Sequence, residues 1–205
     1  MQRLLIATRN PGKLLEIQSL LEGMEVSLIT PDMIGISLKV METGNSYEEN
    51  ATLKAKAYAQ RVNLVTMADD SGLEVDALDG QPGIRSARFS PLLHATDADR
   101  RHYLLDLLHD LPKPWSAHFH CTVAIATPTD RIYYAQGNCV GEIIPSERGT
   151  NGFGYDPIFL IPAAGLTMAE LSMAQKNHLS HRARAVKAAL PVIFALFQDS
   201  PSGFG

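Results

Sequence analysis

The chain has 205 residues, 45% of them hydrophobic and 20% charged, which is enough apolar content to bury a core and excludes a disordered or fibrous protein. Eighteen Lys and Arg against twenty-two Asp and Glu leave a formal net charge of −4, so no whole-molecule field draws in a nucleic acid and any anionic ligand must be held locally. Cys121 and Cys139 are the two cysteines, and neither sits in a CxxC pair, which argues for reduced thiols over a disulfide framework or structural zinc. The opening MQRLLIATRNPGK is apolar only over residues 4–7, too short for a signal-peptide core or a membrane span, so a cytoplasmic protein without a membrane partner is expected.

LLIAT reads as a short buried strand that runs into Asn10-Pro11-Gly12. Asn10 is a good N-cap and Pro11 suits the first helical position, after which Leu14, Ile17 and Leu21 mark one face of a helix. A second helix is announced by Ser46 and Glu49 at capping-box spacing and continues without a breaker through ENATLKAKAYAQ. Residues 64–68 read as another buried strand. After the Gly- and Pro-punctuated GQPGIRSARFSP, residues 98–111 carry helical spacing in Tyr103, Leu104, Leu107 and Leu108, ended by Pro112 and Pro114. AHFHCTVAIA alternates Ala117, Phe119, Cys121, Val123 and Ile125, and RIYYAQGNCVGEII follows beyond TPTD, which predicts an antiparallel pair. A last helix is predicted over residues 172–198 with Leu179, Ala183, Val186 and Leu190 as its stripe and Pro191 as a kink or break. The tail DSPSGFG reads as flexible. The result is an α/β chain with a parallel-type opening and an antiparallel middle, without internal repeat or linker, and therefore one domain over residues 1–205.

Four stretches could carry chemistry. Arg9 and Lys13 bracket the first helix start, whose unpaired N–H groups already carry partial positive charge, so an anion such as phosphate would complete the site. No Walker A loop is present, and two solvated surface cations explain the same segment. Asp69 and Asp70 follow a buried strand directly, and neighbouring strand residues point to opposite faces, so the two acids have different tasks. One could hold a hard divalent ion or take a proton from water, with Glu42 as a second carboxylate, Ser71 as a phosphate donor and Lys54 as a cation. The plainer alternative is a turn with Ser71-Gly72 at its corner. GTNGFGYDPIF offers Phe153 and Tyr155 for stacking beside Gly154 and Asp156, or else a tight bend with both aromatics in the core. KNHLSHRARA gathers Lys176, His178, His181, Arg182 and Arg184, a local positive patch or a solvated helix face. His118 and His120 have HxH spacing but no third ligand nearby and read as exposed strand histidines.

Taken together, ATRNPGKLLEI, ETGNSYEENATLKAKA, ADDSGLEVDALDGQPGIRSAR, GFGYDPIF and ELSMAQKNHLSHRARA resemble, in this order, the inosine/xanthosine triphosphate pyrophosphatase family. The resemblance implies a long mixed β-sheet flanked by helices, two lobes with a central substrate cleft, and a Mg²⁺-dependent homodimer. It also implies cleavage of a non-standard purine nucleoside triphosphate to monophosphate and pyrophosphate. By similarity, Thr8, Arg9, Asn10, Pro11, Gly12 and Lys13 contact substrate together with Lys54, Ser71, Phe153, Gly154, Tyr155, Asp156, Lys176, His181 and Arg182. Glu42 and Asp70 would hold the metal, Asp69 is a further candidate ligand, and Asp70 is the expected proton acceptor. His181 or Arg182 would donate to a 6-keto purine. The chain departs from the family at Gln175, where an acid is common, and at Arg85, where an aromatic is common.

Overall fold

The computed structural model describes residues 2–198; the expectation for the tail falls on residues outside that range. One seven-stranded sheet organises the chain, in the order β2-β1-β3-β4-β5-β6-β7. Its strands are β1 (Gln2–Ile6), β2 (Val26–Ile29), β3 (Val65–Val75), β4 (Trp115–Ala126), β5 (Ile132–Ile143), β6 (Phe159–Ile161) and β7 (Leu166–Thr167). β1 lies parallel to β2 and β3, and every later pairing is antiparallel, so the sheet is mixed and the α/β reading holds.

Helices α1 (Pro11–Leu20) and α2 (Tyr47–Val62) start where their caps predict. Asn10 Oδ1 accepts the Lys13 N–H at 3.1 Å, and Ser46 Oγ accepts the Glu49 N–H at 3.1 Å. α3 (Asp97–Leu108) is opened by a capping box of Thr96 and Asp99. The last helical region is two helices, α4 (Met173–Leu179) and α5 (His181–Gln198), separated at Ser180, whose backbone is extended. Pro191 lies inside α5 without ending it, so the break that is one of the two outcomes expected there does not occur. Ala185, Val186, Ala189 and Ile193 bury that helix on the sheet on both sides of the proline, and this packing keeps the helix continuous despite one lost backbone bond.

Three apolar clusters line the sheet. α1 and α5 pack on one face through Ile17, Leu21, Val186 and Ile193 against Leu4, Ile6, Met67 and Val123. α2 packs on the other through Ala51, Ala55, Tyr58 and Ala59 against Leu5, Ala68 and Ala124. The third cluster joins α3, through Leu104 and Leu108, to Leu73, Val75, Phe119, Ile143 and Phe159.

The feature that positions the site is a mismatch in strand length. β3 pairs with β4 from Thr66 to Val75, ten residues, but with β1 only from Val65 to Met67. β1 then leaves the sheet, its last tie being Ala7 N–H to the Met67 carbonyl at 2.8 Å. The freed edge is taken up again only at Leu73, whose N–H donates to Ser86 Oγ at 2.9 Å from a 3-10 turn, Gly83–Arg88. Asp69 and Asp70 therefore do not end a strand, and Ser71-Gly72 is not a turn. All four lie mid-strand in a window between a departing strand and an arriving turn. Such a window at the carboxyl end of β1, where strand order reverses, is where open α/β sheets bind ligands.

Candidate active site

A cavity of about 380 Å³ fills this window. Thr8, Arg9, Asn10, Lys13, Glu42, Lys54, Asp70, Ser71, Phe153, Gly154, Tyr155, Asp156, Lys176, His181 and Arg182 all reach its wall. Pro11, Gly12 and Asp69 do not. Pro11 is exposed at the helix start, and Gly12 lies under the Phe153 ring, where an added Cβ would come within 2.4 Å of Phe153 Cδ1. Asp69 is buried beneath the floor at 2% exposure.

The two acids of β3 point to opposite faces of the sheet. Asp69 faces α1 and α5: its Oδ2 lies 3.0 Å from Lys13 Nζ and 3.2 Å from Arg182 Nε. Burial alone would raise its pKa, but Lys13 and Arg182 more than offset that and hold it far below the usual carboxylate range. Asp70 faces α2, accepting from Asn50 Nδ2 at 3.3 Å and lying 3.4 Å from Lys54 Nζ. Its pKa goes the other way: burial raises it, Lys54 and Lys13 only partly compensate, and Glu42 and Asp69 add repulsion. Adjacent carboxylates thus become a fixed anion and a proton-accepting group.

Lys54 occupies the space between three acceptors. Its Nζ is 3.0 Å from Glu42 Oε1, 3.4 Å from Asp70 Oδ1, and donates to the Asp69 carbonyl on the open edge of β3 at 2.5 Å. Glu42 also faces Arg88 at 3.4 Å, and its pKa is lowered because Lys54, then Lys13 and Arg88, outweigh burial. Among the described residues no three His, Cys, Asp or Glu side chains converge as a ready metal cage. Cation binding here would rest on Glu42 and Asp70 with oxygen from a ligand.

The positive stretch of α4 and α5 is not a solvated face. Lys176, His181 and Arg182 are buried, while His178, Arg184 and Lys187 remain outside. Lys176 Nζ contacts Glu16 Oε1 at 2.6 Å and Asp156 Oδ2 at 2.9 Å. Arg182, 1% exposed, places Nη1 on Glu16 Oε2, Nε on Asp69 and Nη2 on Ser71 Oγ at 2.9 Å. Each guanidinium nitrogen makes one of these bonds, so Arg182 organises the floor, and the second N–H of Nη1 and of Nη2 is left over on a residue that also lines the cavity. Three acids, Glu16, Asp69 and Asp156, thereby balance Lys13, Lys176 and Arg182. Glu16 was not legible as a site residue. Its only local signal is an acid on the otherwise apolar, buried face of α1.

His181 is a buried polar group on this wall with spare capacity. Its ring stacks on Phe119 at 4.7 Å, its Nδ1 has no hydrogen-bond partner, and burial, with Arg182 and Lys176 nearby, pushes its pKa well below the ordinary value, so the imidazole is neutral. Phe153 presents its ring above Arg182 and Lys176, at 5.6 and 5.7 Å. Tyr155 turns into the third core and donates to the Ser86 carbonyl at 2.9 Å. Of the two departures, Gln175 closes the capping box of α4, its Oε1 accepting the Ser172 N–H at 2.8 Å, and Arg85 is exposed and off the cavity wall. His118 and His120 are half-buried, not exposed: His118 pairs with Glu74 at 3.0 Å, and His120 bonds Asn138 and Thr122.

Comparison with known proteins places these features in company. The model of the Ham1 family matches residues 4–192. A dITP/XTP pyrophosphatase of Listeria monocytogenes serotype 4b (strain F2365) is 43% identical over 188 residues, 91% of this chain and 92% of its own. One from Geobacter sulfurreducens is 45% identical over 187 residues, 91% of this chain and 94% of its own. Among solved structures, a HAM1 protein from Coxiella burnetii superposes with a TM-score of 0.85 at 37% identity, covering 95% of this chain and 100% of that one.

Proposed function

The chain belongs to the Ham1 family, and from that membership we propose that it is a pyrophosphatase for non-standard purine nucleoside triphosphates. It cleaves dITP, ITP, XTP or dXTP to the nucleoside monophosphate and pyrophosphate, clearing deaminated purines from the nucleotide pool. The observation that carries the reading is Asp70, its pKa raised, sharing one cleft with Lys13, Lys54 and the amino end of α1.

Glu42 and Asp70 are the carboxylates that would hold Mg²⁺. They already flank a cation, Lys54 Nζ, and two carboxylates completed by phosphate and water suit that ion. When bound, the ion would offset phosphate charge and polarise phosphoryl oxygen. Arg9, Lys13 and the unpaired N–H groups of α1 take the triphosphate, with Lys54 on its other side. Asp70 accepts the proton of a water whose oxygen attacks the α-phosphorus, and pyrophosphate leaves; a raised pKa brings that base closer to neutrality. Asp69, held by Lys13 and Arg182, supports from beneath. Phe153 stacks on the base, and neutral His181, with an unpaired ring nitrogen, reads its 6-keto edge.

The chain works as one bilobed domain whose cores share β3 and β4, in the cytoplasm, where two unpaired cysteines stay reduced. It forms a homodimer through the outer face of β5, where Val140 and Tyr134 are 74% and 44% exposed; sedimentation velocity at micromolar protein tests this. The activity is tested by offering dITP, XTP, dATP and dGTP with Mg²⁺, with and without chelator, and quantifying products. Pyrophosphate from the first two alone, abolished by chelator, is expected. Single orthophosphate, or equal rates on all four, overturns the assignment.

A further inference from the structure

The reading above leaves the first turn of α3 without a task, yet that turn grips the loop that carries Phe153. Asp97, half-buried at the first position of the helix, accepts the Gly154 N–H on Oδ2 at 2.7 Å, while its Oδ1 pairs with Arg100. Burial would raise its pKa, but the Gly154 N–H and Arg100 outweigh that, so the carboxylate is ionised and accepts strongly. Arg101, one turn further, donates from Nη1 to the Gly154 carbonyl at 2.8 Å. Its other edge is fastened to Glu147 through Nε and Nη2 at 2.7 and 2.9 Å, a two-bond contact that fixes the plane of the guanidinium.

Both polar groups of Gly154 are therefore held by one helix. Gly154 sits at φ 61, a left-handed conformation in which glycine moves freely between alternatives, so the clamp selects one of them. The next peptide toward the amino end is held as well, with Phe153 N–H on Asp156 Oδ2 at 2.9 Å. The Phe153 ring between these anchors lies over Arg182 and against Gly12, where nothing on the ring itself makes a directional bond. Its orientation is set by the backbone on either side.

We propose that Asp97 and Arg101 are positioning residues which, by clamping Gly154, hold Phe153 as a preorganised stacking surface for the purine; this rests on the base-binding part of the reading above. The effect is on substrate binding: neither residue touches the phosphate groups' cations or Asp70. Arg101 is the cleaner probe, because Asp97 also reaches the cavity wall and Arg101 does not.

The test combines steady-state kinetics on dITP with hydrogen-exchange mass spectrometry of the free protein over residues 150–156. Arg101→Ala and Asp97→Ala should each speed exchange at Gly154 and raise KM about tenfold, the size of one lost charge-assisted hydrogen bond, with kcat within about twofold of the parent. Asp97→Asn keeps an oxygen able to accept the Gly154 N–H and should restore most of KM. Arg101→Lys, which keeps a donor but not the two-bond contact to Glu147, should fall between. Unchanged exchange and KM in Arg101→Ala overturns the clamp, as does a loss of kcat that follows lost helical circular dichroism and is not relieved by Asp97→Asn. If the parent releases no pyrophosphate from dITP, the functional reading fails by itself, while the exchange measurement still decides whether α3 holds the loop.

Discussion

Replacing Glu16 by Gln tests whether the buried ion network beneath the cleft is as dry as its geometry implies. Each Glu16 oxygen faces a buried cation: Oε1 lies 2.6 Å from Lys176 Nζ, and Oε2 accepts from Arg182. Gln keeps one acceptor and turns the other into an N–H₂ group aimed at a cation, so a balanced set of three acids and three bases acquires one uncompensated positive charge. Breaking a buried pair from one side costs ~3–5 kcal/mol, a large share of the ~5–15 kcal/mol that holds a domain. With a urea m-value of ~2–3 kcal/mol/M, the midpoint should fall by ~1–2 M, read by circular dichroism. The double variant Glu16→Gln, Arg182→Met should lose less than the sum of the singles, because the charge left unpaired by the first change is removed by the second.

The same variant carries a pH signature. Burial raises the Glu16 pKa, but Arg182 and Lys176 more than offset it, so the folded value lies below the ordinary 4.5. A depressed carboxyl pKa stabilises the fold above the unfolded value and loses that contribution as pH falls toward the folded one. The stability gap between parent and Glu16→Gln should thus stay constant at neutral pH and narrow below about pH 4.5. A gap under ~1 kcal/mol at pH 7, or one insensitive to acid, would mean that water screens the network as it does a surface pair, and would refute the reasoning.

Asp70→Asn should lower kcat by ~10²–10⁴, the usual reach of general-base catalysis, in a pyrophosphate-release assay. Its folded pKa is raised, so the ionised side chain costs stability at pH 7, and the variant should melt no lower than the parent by scanning calorimetry. Unimpaired turnover would remove Asp70 from the chemistry. Gly12→Ala places a Cβ 2.4 Å from Phe153 Cδ1, so the ring must tilt; KM for dITP should rise several-fold with kcat nearly unchanged, and an unaltered KM would show that the ring position does not matter.

The start of each early helix was readable because a cap is a local event: Asn10 and Ser46 bond N–H groups three residues away, within the same short window of chain. The opposed orientation of Asp69 and Asp70 was equally local, since a strand alternates by its own geometry. Family resemblance then named about half of the residues on the cleft wall, most of its charged groups among them. What remained hidden is nonlocal. The open window along β3 is set by where β1 leaves it and where Ser86 arrives, while β4 carries the strand on to Val75, so residues 69–72 read as strand end and turn until their neighbours are placed. Glu16 and Arg182 are 166 positions apart, and Asp97 and Gly154 are 57. Residue chemistry and short-range backbone preference are properties of the chain itself, and they determined the helix starts, the strand faces and the kind of chemistry available. The charge partners that drive the Asp69 and Asp70 pKa values apart, and that tie Arg182 to Glu16, Asp69 and Ser71, are a property of the assembled interior. Only the tertiary structure could decide it.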